Sequence, residues 1–140
     1  MTPRSQTLTI DVPPSEWVTA NGRYHWAEKA KRVRALRFRA RMLARRADLR
    51  HADGPVRVIA HVHTRTRGRL DPDNAAPTTK ALLDGLTRDP RDRWAGVWDD
   101  DDHTRVIGPD HRRGPTIPTL PRGFHRITLT IVETHKPDNQ

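Results

Sequence analysis

Asp71-Pro72-Asp73-Asn74 sets two carboxylates one residue apart, and Lys80, Asp84 and the run Asp99-Asp100-Asp101-Asp102 follow. The chain around this acid is basic. Its 26 lysines and arginines outnumber 17 aspartates and glutamates, for a formal charge of +9. A basic surface is drawn to polyanions. A knot of carboxylates within it has the composition of a Mg²⁺ site, because that ion takes a few hard oxygen ligands and keeps positions for water and phosphate. The two features together describe phosphodiester hydrolysis: cations hold the backbone, and a metal-activated water attacks the phosphorus.

Pro72 favours extended backbone at Asp71, and in an extended stretch residues i and i+2 point the same way. Asp71 and Asp73 are therefore expected to converge on one cation. Asn74 is expected to cap the next segment or orient a carboxylate. Lys80 and Asp84 are four apart, hence on one helix face, where Lys80 can stabilise charge on a transition state. The aspartate run would supply the remaining ligand. Singly, each piece is ordinary. D-x-D-N is common in loops, a run of aspartates is usually a solvated turn, and a Lys-Asp pair at this spacing is a routine ion pair. Their joint occurrence in a basic chain is what points to a site.

Other residues carry weaker signals. His61 and His63 share a strand face, but no third nitrogen or sulfur ligand accompanies them. His103, beside the aspartates, is either a solvated turn residue or a phosphate contact. No G-x-x-x-x-G-K-[ST] loop is present, which argues against a nucleotide cofactor. No serine or cysteine nucleophile arrangement is visible. The absence of cysteine excludes disulfides and thiolate metal sites, and fits a reducing cytoplasm. Trp94 and Trp98 flank the aspartate run and read as packing, dimer or DNA contacts.

The positioning elements follow from periodicity. Leu8, Ile10 and Val12 alternate with polar residues in a first strand that ends at Pro13-Pro14. Residues 26–50 carry Trp26, Ala30, Val33, Leu36, Ala40, Leu43 and Ala47 at intervals of three or four, the apolar face of a long helix whose other faces are crowded with lysine and arginine. Val56, Val58, Ala60 and Val62 mark a second strand. Arg65, Arg67 and Arg69 form a basic loop leading into Asp71. Residues 78–86 form a shorter helix. A short strand begins near Arg105 and stops before Gly108-Pro109, residues 110–123 read as a mobile loop, and Ile127, Leu129 and Ile131 mark the last strand before a disordered tail from residue 135. The expected fold is one α/β domain of 140 residues, a small mixed sheet covered by one long and one short helix. At 34% hydrophobic the domain is lean, so a homodimer is expected. No signal peptide, and no run of about 20 apolar residues able to span a membrane, is expected.

In this order the pieces resemble the RusA family of Holliday junction resolvases, particularly its short phage, prophage and actinobacterial members. The resemblance covers most of the chain. It runs from the strand ending in Pro13-Pro14-Ser15, through Asn21 and Arg23, to the Asp71-Pro72-Asp73-Asn74 motif and the helix from Lys80 to Leu86. It continues with Gly96-Val97-Trp98, the aspartate run and the terminal strand. It implies a RusA-like fold and a homodimeric, Mg²⁺-dependent endonuclease, with Mn²⁺ as a substitute ion, that resolves four-way DNA junctions by paired nicks. The catalytic residues would be Asp71, Asp73, Asp101 and Lys80, and the metal ligands Asp71, Asp73, Asp100 and Asp101. Arg23, Arg65, Arg67 and Arg69 would contact DNA. The family's prototype has fewer residues between the D-x-D-N motif and its lysine, and the aspartate run leaves the third ligand open among Asp100, Asp101 and Asp102. Two other readings fit the same residues: a less selective nuclease of branched DNA, and a non-catalytic DNA-binding protein whose aspartates form a surface turn.

Overall fold

The computed structural model describes residues 4–100 and 102–134. Strands β1 (Ser5–Val12), β2 (Val56–His63), β3 (Val106–Arg113) and β4 (His125–Glu133) form one mixed sheet in the order β1-β4-β2-β3. β4 runs antiparallel to both neighbours, and β2 and β3 are parallel. A parallel pair needs a crossover. Here it is a 3-10 turn (Pro72–Ala75) that runs directly into helix α2 (Ala76–Leu86). Helix α1 (Trp26–Arg46) joins β1 to β2. This is the expected small mixed sheet with one long and one short helix.

Alternation decides which sheet face is buried. Leu8, Ile10 and Val12 of β1 align with Leu129, Ile127 and their neighbours on β4, and Val56, Val58, Ala60 and Val62 of β2 lie on the same side. Leu36, Ala40 and Ala44 of α1 and Leu82 and Leu86 of α2 complete the core. Gly85 sets the crossing of the two helices, because a Cβ there would collide with the carbonyl oxygen of Arg37. The expected α1 stripe is right in its middle and wrong at its ends: Trp26 is 78% exposed and Ala47 is exposed. The helix also stops at Arg46, short of residue 50. Asp48 adopts positive φ (57°), its N–H donates to Arg45 O at 3.1 Å, and Leu49 N–H donates to Ala44 O at 3.0 Å. That paired closure ends a helix with a left-handed residue, here aspartate in place of the commoner glycine.

β3 is the larger correction. The strand passes through Gly108-Pro109 and reaches Arg113, absorbing the first four residues of the expected mobile loop. Proline stops a strand by withholding a donor. A register shift between Arg57 and Ile59 on β2 accommodates Gly108-Pro109, and pairing resumes at Asp110. Beyond β3 the chain stays tied, with Gly114 N–H on Val62 O and Ile117 N–H on Thr64 O, and Leu120 is buried. The tail expected from residue 135 lies outside the described residues.

Candidate metal and DNA site

The D-x-D-N motif closes the crossover at the start of α2. Asp71 is extended (φ −97°, ψ 106°), as Pro72 dictates. The following residues, Pro72–Ala75, coil into the 3-10 turn. The Asp71 carboxylate caps that turn by accepting from Asp73 N–H at 3.1 Å, as aspartate commonly does at a helix start. The two carboxylates are therefore not side by side on a strand, as alternation suggested. They share a turn in which one side chain folds back over the backbone of the other. Both are exposed to solvent.

Asn74 does neither of its expected jobs. Its Oδ1 accepts from Asn21 N–H at 3.2 Å and its backbone oxygen from Ala20 N–H at 2.9 Å. One turn on, the buried hydroxyl of Thr78 accepts from Val18 N–H (2.9 Å) and donates to Val18 O (2.7 Å). The loop between β1 and α1 is thus stitched to the motif. Arg23, exposed, sits in that loop.

Lys80 lies on the first turns of α2 with 76% of its side chain exposed and Nζ 3.8 Å from Asp84 Oδ1. Asp84 also meets Arg37 Nη2 at 3.6 Å. Between α2 and β3 is a cleft of about 250 Å³ lined by Thr79, Lys80, Pro109 and His111 among others. His111 belongs to the part of β3 that was expected to be loop. Its buried ring has Nε2 at 2.8 Å from Thr79 Oγ1 and Nδ1 at 3.5 Å from Asp73 Oδ1. This histidine was missed because nothing adjacent to it in sequence marks it. Only the pairing of β3 with β2 carries it to the turn.

The aspartate run divides. Gly96-Val97-Trp98 folds back along the end of α2, with Val97 N–H on Leu86 O and Arg88 N–H on Trp98 O. Gly96 (φ 77°) is required there, since a Cβ would strike the backbone of Arg88 and Leu86. Trp98 is a core residue whose indole N–H donates to Thr87 Oγ1 at 2.9 Å, and Trp94 packs against the core, so neither is a free surface contact. Asp99 faces the His51 ring at 3.6 Å and the guanidinium groups of Arg88 and Arg105 at 3.9 Å each. Asp102 caps the turn before β3, accepting from the Thr104 hydroxyl and from the N–H groups of Thr104 and Arg105. The Thr104 hydroxyl bond, ahead of those backbone donors, holds its carboxyl below the usual range. Asp100 is exposed. Asp101 lies outside the described residues. Among the described residues no three histidine or carboxylate side chains gather around one point.

The basic residues also divide. Arg65 is spent on structure, its Nε donating to Leu120 O at 3.1 Å. Arg67 and Arg69 are exposed. His63 is held between Pro115 O at 2.8 Å and Thr128 Oγ1 at 3.0 Å, which leaves no ring nitrogen for a site shared with His61.

No protein-family model matches the chain, and no curated protein matches it.

Proposed function

We propose that this chain is a divalent-metal-dependent endonuclease of branched DNA, acting as a homodimer on four-way junctions in the manner its resemblance to the RusA family implies. The observation that carries the reading is the turn at the start of α2. Two exposed carboxylates, Asp71 and Asp73, stand at the end of a loop bearing Arg67 and Arg69, and Lys80 follows in the first turns of the helix.

The donor chemistry of this turn fits Mg²⁺. Asp71 and Asp73 offer hard carboxylate oxygens in contact with solvent, as an ion that keeps several waters and a substrate phosphate requires. These two residues would hold the ion, with a further carboxylate from Asp100 or Asp101. When bound, such an ion supplies an acidified water and a Lewis acid for the phosphoryl oxygen.

The chain's own residues do the rest. Arg67 and Arg69 neutralise phosphates next to the scissile bond and fix the strand in register. Lys80 carries a flexible, exposed ammonium that meets the charge building on the phosphoryl oxygens. The Asp71 cap and the Asn74 and Thr78 bonds hold the turn rigid, so positioning is not left to substrate binding. A two-fold dimer would present two such turns to the two symmetric strands of a junction.

A single assay tests this: nicking of a synthetic four-way junction, a three-way junction and linear duplex, each with Mg²⁺ and with EDTA. Paired, Mg²⁺-dependent nicks confined to the four-way junction are expected, from a species that sediments as a dimer. Equal cutting of all three substrates would replace the resolvase with a less selective nuclease. Binding without cutting would leave a DNA-binding protein.

A further inference from the structure

A second concave surface lies away from the acidic turn. It is a groove of about 550 Å³ between α1 and the C-terminal end of α2, a volume suited to a nucleotide-sized ligand. Arg34, Arg37 and Arg41 enter from α1, and Arg88 and Arg91 from the segment after α2. In their midst is Phe38, 66% exposed. Arg34, Arg37, Phe38 and Arg41 fall at helical spacings of three and four, so one face of α1 presents them all.

The charges of the groove are incompletely balanced. Asp84 and Asp89 also line it, and pair with Arg37 at 3.6 Å, Arg41 at 3.4 Å and Arg91 at 3.3 Å. Arg88 pairs outside the groove, with Asp99 at 3.9 Å. Arg34 makes no ion pair or hydrogen bond among the described residues. Nε of Arg41 is shielded from solvent and has no hydrogen-bond partner. Five arginines and two aspartates line the groove, and even with Asp92, 4.0 Å from Arg41, and Asp99 outside it the surface keeps an excess of positive charge that suits an anion. A second copy of the chain is a poor occupant, because a two-fold interface sets a patch against itself and would bring arginine to arginine. An exposed phenyl ring in such a surface adds a second requirement: the anion should carry a flat, unpaired π face. Duplex DNA hides its base faces within the stack. A single strand offers both phosphates and bases.

We infer that the groove between α1 and the end of α2 is a second nucleic-acid site, which holds an unpaired strand with its phosphates on Arg34, Arg37 and Arg88 and a base stacked on Phe38. The inference rests on DNA being the partner in the proposed function, and adds to it the strand that this protein distinguishes from duplex. α2 links the two sites. The helix from Ala76 to Leu86 spans about 16 Å. That is roughly five nucleotide steps of a duplex strand, so an arm clamped at the acidic turn would release its unpaired end toward Phe38.

The test measures binding in EDTA, where no cleavage occurs, by fluorescence anisotropy of a short labelled single strand and of a blunt duplex. Phe38→Ala should weaken single-strand binding roughly 5- to 150-fold and leave duplex binding unchanged. Arg34→Ala should lower the slope of log affinity against log salt by about 0.7 for the single strand. Both side chains are exposed, and circular dichroism with a melting curve verifies that the variants are folded. Wild-type single-strand affinity in Phe38→Ala overturns the inference, as does displacement of the strand by polyglutamate at equal charge concentration, which would make the groove an acidic-peptide site. The two readings fail separately. Phe38-dependent binding without junction nicking leaves the groove standing and removes the nuclease, and nicking with Phe38-independent binding does the reverse.

Discussion

Nδ1 of His111 stands 3.5 Å from Oδ1 of Asp73, a buried ring (7% exposed) facing a carboxylate that is 82% exposed. The hydroxyl of Thr79 donates to Ala76 O at 3.1 Å and lies 2.8 Å from His111 Nε2. Asp73 is thereby linked to β3 through a ring that is itself held against α2. Asp73→Asn keeps the shape of the side chain and removes its charge. The expected result is a variant that no longer nicks junctions and binds them as well or better. Near wild-type nicking in Mg²⁺ would remove Asp73 from the site.

Lys80 pairs with Asp84, at 3.8 Å, through a mostly exposed side chain. Its removal should cost activity and almost no stability. Lys80→Ala is expected to lower the nicking rate by roughly 10²- to 10³-fold, with a melting temperature indistinguishable from wild type. Lys80→Arg should recover part of the loss. A Lys80→Ala enzyme that nicks normally would show that another cation fills the role.

The three loop arginines should separate in one experiment. Arg67→Ala and Arg69→Ala should each lower the salt slope of duplex-arm binding by about 0.9 and leave the melting curve in place. Arg65→Ala should do the opposite, because its Nε donates to Leu120 O and so ties the loop after β2 to the segment between β3 and β4. Equal slopes for all three variants would show that this loop does not meet phosphate.

His125 stacks on Trp17 with ring centroids 3.9 Å apart, and its buried Nδ1 has no hydrogen-bond partner. Burial pushes its pKa below the ordinary 6.5. The folded state thus binds its proton less readily than the unfolded state. Stability from this group is complete above about pH 6.5 and is lost as pH falls from there through the folded pKa. The melting temperature should decline on acidification across that window, before the carboxylates titrate. His125→Phe keeps the stack and cannot take the proton, so its decline should be visibly shallower. Parallel curves for the two proteins would place the acid sensitivity elsewhere.

Much of the frame was legible in particular residues. Leu8, Ile10 and Val12, the valines of β2, and Ile127, Leu129 and Ile131 declare their strands because alternation is a local property. The stripe of α1 is legible at Val33, Leu36 and Ala40 for the same reason. What was hidden depends on distant partners. The Gly108-Pro109 step looked like a stop because the shift that accommodates it lies far away in sequence, on β2. His111 was hidden behind that error. Trp98 stayed open among packing, dimer and DNA contacts because nothing nearby in sequence shows that Thr87 waits for its indole N–H. Asp71 and Asp73 were visible as residue types, while their relation, a cap over a turn, required the conformation that begins after Pro72.

The stitching of the β1–α1 loop to the crossover makes two stretches distant in sequence into one mechanical piece. Val18, Ala20 and Asn21 have their amides bound to Thr78 and Asn74, and cannot exchange hydrogen with solvent unless the start of α2 opens with them. These amides should therefore share one exchange rate with the first turns of α2 and slow together when a divalent ion is added, although none of them would touch it. A loop that looks peripheral in sequence would then report occupancy of the acidic turn, and deletions within residues 18–21 should disable that turn as surely as changes to its aspartates.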